Sequence, residues 1–191
     1  MELQKLNVKF FVSQPDAVLL SDFIEIFHGW IQATDGVYHD VADYSHMRAG
    51  PGIILIANDA NVGIDESGGR RGLVYSQKTR LLGSNRDMLR HGFRAALKNC
   101  RRLEEEPALR GKLRFAANET VISLNDRLSG GNLAASFDEI KEDVATVASQ
   151  LFGGAGLSLE RDPDSRRRLN VQVKSSEPLD AAQALANLRQ N

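Results

Sequence analysis

Two of the four histidines fall in the most polar stretch of the chain, Tyr38-His39-Asp40-Val41-Ala42-Asp43-Tyr44-Ser45-His46. An imidazole changes charge near neutral pH, and an adjacent carboxylate both fixes its tautomer and stabilises the protonated ring. His39, Asp40, Asp43 and His46 are therefore the candidate catalytic set, for acid–base work or as ligands. On an extended strand His39 and Asp43 would project from one face and Asp40, Tyr44 and His46 from the other. A working site thus requires the chain to leave strand geometry near Asp43, ahead of the turn at Gly50-Pro51-Gly52. His28, between Phe27 and Trp30, is a further candidate nitrogen. Neither spacing matches a zinc or iron motif, so no metal ligands are assigned. The competing reading is a strand end and polar turn with half-exposed histidines.

The most regular charged pattern is cationic. Arg86, Arg90, Arg94 and Lys98 recur every four residues, Arg101 and Arg102 extend them, and only Asp87 opposes them between 86 and 102. On a helix this spacing makes one basic flank opposite the apolar stripe of Leu89, Phe93, Ala96, Leu97, Cys100 and Leu103. Such a flank suits an anionic ligand or an acidic partner protein; the alternative is an ordinary solvated face, with Glu104 to Glu106 pairing back onto Arg101 and Arg102. The formal net charge of -1 conceals the asymmetry: residues 1–67 carry ten acids and three bases, residues 68–114 thirteen bases and four acids.

Other basic or glycine-rich words carry less. Gly68-Gly69-Arg70-Arg71 suits either an anion cradle or an exposed hairpin loop, and Arg166-Arg167-Arg168 a solubilising hairpin tip. Gly153-Gly154-Ala155-Gly156 follows a helix, whereas phosphate-binding glycines open one, so it reads as a helix C-cap. Cys100 sits in an apolar stripe and reads as an inert thiol. Lys112-Leu113-Arg114-Phe115-Ala116 lacks the glycine and paired aromatics of an RNA-binding strand, and nucleic acid is not an expected partner. The hydrolase elbow, Walker, HExxH and Cys-x-x-Cys words are all missing from the sequence.

The elements that position these residues follow from periodicity. Strands are predicted at 8–12, 37–44, 53–57, 62–65 and 73–75, with a tight hairpin at Asn58 to Asn61 and the 53–57 run buried on both faces. Helices are predicted from Val18 to Ile31, from an Asn85 N-cap to Glu106, from a Ser136 cap to about Phe152, and over 179–189. Residues 113–116 and 120–124 form a hairpin around Asn118-Glu119, and 157–159 pairs with 169–173 around Asp162-Pro163-Asp164-Ser165. From residue 72 this gives strand, helix, strand, strand, helix, strand. The expected fold is accordingly α+β, a largely antiparallel sheet with helices packed on one face, in ferredoxin-like connectivity plus an added hairpin. The expected core is Phe10, Val12, Phe23, Phe27, Ile54, Ile56, Phe93, Leu97, Phe115, Val121, Ile122, Ile140, Val144 and Leu151. A faint echo between Ala57-Asn58-Asp59 and Ala117-Asn118-Glu119, continuing to Asn125-Asp126, is too short to establish duplication.

Residues 1–191 read as a single α+β domain with 175–191 as a C-terminal extension or short helix. Apolar runs such as 53–57 fall far short of the roughly 20 residues that cross a bilayer, so no membrane segment is expected. With one cysteine and no signal-like N-terminus, the expected setting is reducing and cytoplasmic. The functional expectation is a ligand- or partner-binding or assembly module using the cationic helix face, with homodimerisation through free sheet edges. The alternative is a small enzyme with a His/Asp site at residues 39–46.

Overall fold

The computed structural model describes residues 1–47, 49–125, 131–154 and 156–189. Its centre is strand β1 (Leu6–Val12), which pairs with β5 (Gly72–Gln77) on one side and β6 (Phe115–Leu124) on the other. Beyond β5 lie β4 (Ala60–Asp65), β3 (Gly52–Ala57) and β2 (Tyr38–Tyr44); beyond β6 lie β8 (Asn170–Ser175) and β7 (Leu157–Arg161). These eight strands form one sheet in the order β2-β3-β4-β5-β1-β6-β8-β7, antiparallel at every pairing. Four helices join them: α1 (Asp22–Ala33), α2 (Asn85–Glu105), α3 (Ala134–Phe152) and α4 (Ala181–Asn187). The expected α+β class and antiparallel sheet are thus observed. Among the described residues, no helix is long and apolar enough to cross a membrane.

Period-two burial fixes which face is inside. Along β1, Leu6, Val8, Phe10 and Val12 are buried with Phe93 and Leu97 of α2, while Asn7, Lys9 and Phe11 project from the opposite side. Phe10 and Phe93 meet at 6.3 Å between ring centroids. Helix α2 approaches β1 so closely at Gly92 that a Cβ there would lie 2.6 Å from Leu6 Cδ1. The aromatic ladder Phe23, Phe27 and Trp30 sets α1 over β2 and β3. Gly153 ends α3 in the left-handed conformation expected of a C-cap; Ala155, two residues on, lies outside the described residues, as does Asp126 of the short sequence echo.

Four expectations are corrected. Strand β3 is not buried on both faces: Ile53 and Leu55 enter the core opposite Ile64 and Val62, whereas Ile54 and Ile56 stay half-buried on the other side. Only one sheet face carries helices, so a five-residue apolar run must leave alternate members outside. Its phase is set by Gly52, whose φ of +63° and 2.0 Å Cβ clearance to the Ile64 carbonyl admit only glycine. Val121 likewise points away from the core while Ile122 enters it.

Second, residues 113–124 are no hairpin. Asn118 and Glu119 keep ordinary negative φ, and β6 runs straight through them with a bulge where Phe10 faces Thr120 and Phe11 faces Ala116. From β5 the order is therefore strand, helix, strand, helix, strand, strand. Third, α2 is capped by Ser84, in a capping box with Asp87; Asn85 is the first helical residue, accepting from the Leu3 N–H at 2.8 Å and donating to the Met1 carbonyl at 3.0 Å. Fourth, α3 begins at Ala134, two residues before Ser136, which is buried within it.

The strand phase has a measurable consequence. Leu55→Ala should cost about 2 to 5 kcal/mol in urea unfolding, as for a large-to-small change in a core, and Ile54→Ala less than half as much. Equal losses would contradict the inward assignment of Leu55.

Candidate functional site

The uncovered face of the sheet is a concavity of about 850 Å³ running from β3 across β1 to the β7–β8 hairpin. Its floor mixes amide and hydroxyl side chains, Asn7, Asn61, Ser76, Ser123, Asn170 and Gln172, with the aliphatic Ile54, Val74 and Val121. Its cations are Lys9, Arg70, Arg161, Arg166, Arg167 and Arg168, against the acids Asp65, Glu160 and Asp162. At the centre Lys9 and Asp65 form a buried ion pair, and the same carboxylate accepts from the Ser67 N–H at 3.1 Å and hydroxyl at 2.5 Å. Beside it the Arg70 guanidinium stacks 3.7 Å above the Phe11 ring and donates two hydrogen bonds, 2.6 and 3.0 Å, to Glu119. Those bonds and one from Gln172 hold the Glu119 carboxyl below its usual range, despite partial burial. The bulge in β6 is what delivers Glu119 to this position.

At the hairpin tip, Arg166 donates to Asp164 at 2.9 Å, Arg167 lies 3.5 Å from both Asp162 and Asp164, and Arg168 donates to Asn125. Each guanidinium has five donors, so among the described residues all three, which line the concavity, keep N–H groups without a partner. Arg71, the other half of the predicted cradle, points elsewhere and ties the Pro15 and Val18 carbonyls and Glu66 together.

The predicted cationic flank of α2 is present, and much of it is engaged within the fold. Arg86 reaches Asp143 at 2.7 Å and Glu142 at 3.2 Å on α3. Arg90 donates to Gln150 at 3.0 Å and to Asp87 at 3.3 Å, and Arg94 to the Leu188 carbonyl at 3.0 Å; Lys98 is exposed. Further along, Arg101 pairs with Glu105, whereas Arg102 stacks 3.7 Å over Trp30, whose indole N–H donates to Glu106. Glu104 turns inward to accept the Phe115 N–H at 2.8 Å, and burial raises its carboxyl. Cys100 is fully buried, which pushes its thiol up and leaves it a core side chain.

Between Leu81, Leu82 and α2 lies a smaller pocket of about 330 Å³, reached by Arg90, His91 and Arg94. Behind it Tyr75 donates to Gln77 Oε1 at 2.5 Å and lies 3.1 Å from His91 Nε2. Burial, with Asp59 and Tyr38 nearby, pushes the Tyr75 phenol up to about 12.

The polar set at residues 39–46 lies on β2, the outermost strand at its end of the sheet, and in the turn after it. His39, Asp40, Asp43 and His46 are all exposed, as is His28 on α1. Register confirms part of the alternation: Asp43 faces Ile53, while Asp40 and Tyr44 face Ile56 and Gly52. His39 contacts Asn58 at 2.8 Å, and the Asp43 carboxyl is held low by the Ser45 hydroxyl and N–H. Among the described residues, no imidazole–carboxylate hydrogen bond forms here, and no cluster of three metal-ligating side chains is found. Among the described residues β2 and β7 each keep one unpaired side, the free edges that the expected homodimerisation would use.

No family model matches the chain, and neither a curated protein nor a solved structure is significantly similar to it.

Two outcomes test this geometry. Lys9→Met should lose about 3 kcal/mol or more because Asp65 is left buried and unpaired, and Lys9→Met with Asp65→Leu should recover most of it in a double-mutant cycle. The raised Tyr75 phenol means that the fold keeps a proton the unfolded chain releases. Its contribution is complete below pH 10 and is lost as pH rises towards 12. Tyr75→Phe should remove this component of alkaline unfolding, and an unchanged pH profile would contradict it.

Proposed function

We propose that the protein is a ligand-binding module that takes an anionic, hydroxyl-bearing small molecule on the uncovered face of its sheet. The observation that carries this reading is the concavity itself, in which six basic side chains face three acids around a floor of amides, hydroxyls and a few aliphatic side chains. Its volume lies in the range of small-molecule sites. The Ser76 and Ser123 side chains are free to hydrogen-bond among the described residues, and unused guanidinium N–H groups at the rim match a phosphate or carboxylate. Phe11 is already covered by Arg70, which leaves no bare aromatic surface there for stacking bases. We read residues 6–124 as ferredoxin-like connectivity, β1-α1-β2 and β5-α2-β6 interleaved, with β3–β4 as the added hairpin. That arrangement supports a free sheet face and does not choose its ligand. Binding on α2 at Arg86, Arg90, Arg94 and Lys98 is the weaker form of the proposal, since three of the four are engaged with α3, α4 or Asp87. The enzyme reading lacks a paired imidazole.

Glucose 6-phosphate is a suitable probe, with glucose as its uncharged control. Amide shifts should cluster at Arg70, Ser76, Ser123 and Gln172, and affinity should fall as salt rises. The double variant Arg167→Gln, Arg168→Gln, at exposed positions, should weaken binding about tenfold, the scale of a lost charged contact. Unchanged affinity, or shifts confined to another surface, would overturn the proposal.

A further inference from the structure

We infer that the smaller pocket, between α2 and the Leu81–Leu82 segment, is a proton-coupled site for a tetrahedral oxyanion, held by Arg90, Arg94 and the protonated imidazole of His91. It is separate from the sheet face and does not rest on the reading given for that face.

The hydrogen-bond chain behind the pocket dictates how His91 is protonated. The Gln77 amide nitrogen donates to the Asp59 and Thr79 carbonyls and the Thr79 hydroxyl, at 3.0 to 3.3 Å, which fixes Oε1 as the end facing Tyr75. Tyr75 must then spend its single proton on that oxygen, 2.5 Å away. Nothing is left to donate to His91, so Nε2, 3.1 Å from the phenol oxygen, must itself carry hydrogen and donate. The neutral ring therefore has its lone pair on Nδ1, which has no hydrogen-bond partner among the described residues. Protonation adds an N–H at that atom without disturbing the chain behind it.

Charge explains why the proton and an anion should arrive together. On α2 the pocket is faced by Arg90 and Arg94 and by the Asp87 carboxylate, which is held low by Ser84. With neutral His91 the net charge of the lining is one positive; with protonated His91 it is two. Lys98 lies one turn beyond Arg94, and from the sheet side the neutral Tyr75 hydroxyl is the group hydrogen-bonded to the ring among the described residues, with Gln77 and Asp59 behind it. Burial, Arg94 and Lys98 all disfavour the imidazolium in the free protein. An anion between the arginines reverses the last two effects, so binding takes up a proton. Arg90 and Arg94 each spend part of their donors on Gln150, Asp87 or the Leu188 carbonyl, which orients the guanidiniums and leaves other N–H groups free. The volume, about 330 Å³, accommodates a sulfate or phosphate group with room for a small ester substituent.

The test follows the His91 ring by NMR titration of the intact chain in sodium sulfate and in sodium chloride of equal ionic strength, with His28, His39 and His46 as internal references. Sulfate should raise the His91 midpoint by about half a pH unit or more, as expected of a close opposite charge, and leave the other three together. Sulfate should bind more tightly at pH 5.5 than at pH 8, by up to about threefold for a half-unit shift of the midpoint and up to about tenfold for a full unit. Arg94→Gln should abolish the sulfate-specific shift, whereas Arg167→Gln with Arg168→Gln should retain it. Methyl phosphate at pH 5.5 distinguishes the sources: tighter binding than sulfate assigns the site to a phosphate ester, equal or weaker binding to a free oxyanion. If the His91 midpoint is the same in sulfate and chloride, the inference is wrong; this comparison needs no variant, so a misfolded Arg94→Gln cannot obscure it.

Discussion

Helix α2 sits directly on the central strand because position 92 has no side chain. A Cβ there would press 2.6 Å from Leu6 Cδ1 and 3.1 Å from Val8 Cγ2, in a core packed too densely to give way cheaply. With the helix at that distance, Phe93 reaches Phe10 and the apolar stripe from Met88 to Leu103 closes over β1 and β5. The opposite flank of the same helix then faces outward at a fixed height, where Arg86 and Arg90 meet α3 and Arg94 meets the end of α4. One amphipathic element thus joins the sheet to the remaining C-terminal helices: packing on one side, charge-assisted hydrogen bonds on the other.

The two faces of the sheet obey different physics. Behind β1 the side chains are apolar and the helices exclude water. In front of it the strand presents Asn7, Lys9 and Phe11, and the neighbouring strands present serines, asparagines and glutamine beside Ile54, Val74 and Val121. An antiparallel sheet tolerates this because backbone bonding is satisfied within the ladder and one face can remain wet. Lys9 and Asp65 nevertheless sit in a low-exposure spot, so each needs the other. That mutual dependence fixes the Ser67–Gly69 turn beside Arg70, and with it the shape of the front concavity.

The helices and most strands were legible because amphipathic spacing is a local property. What escaped was set at long range. In 53–57 every residue is apolar, so the sequence has no alternation to read, and the phase comes from the Gly52 turn and from Ile64 opposite. Asn118-Glu119 resembles a turn by composition, yet Glu119 is held extended by Arg70 and Gln172, 49 and 53 residues away. The basic spacing on α2 was read correctly as a flank, but its partners Glu142 and Asp143 lie on another helix. The sheet-face concavity was legible only in pieces: Gly68-Gly69-Arg70-Arg71 and Arg166-Arg167-Arg168 stand out as basic words, but β1, β3, β4, β5, β6 and the β7–β8 hairpin together bring Arg70 and the hairpin arginines to one face.

The placement of β1 also has a consequence for biosynthesis. Val8 lies between Tyr75 on one neighbour and Ile122 on the other, so the first of these eight strands to be made is completed only by one made more than a hundred residues later. At typical elongation rates of about 5 to 20 residues per second, that interval lasts roughly 6 to 23 seconds. During it Phe10, Phe11 and Val12 form an apolar segment without its full ladder, the kind of nascent surface that holding chaperones cover.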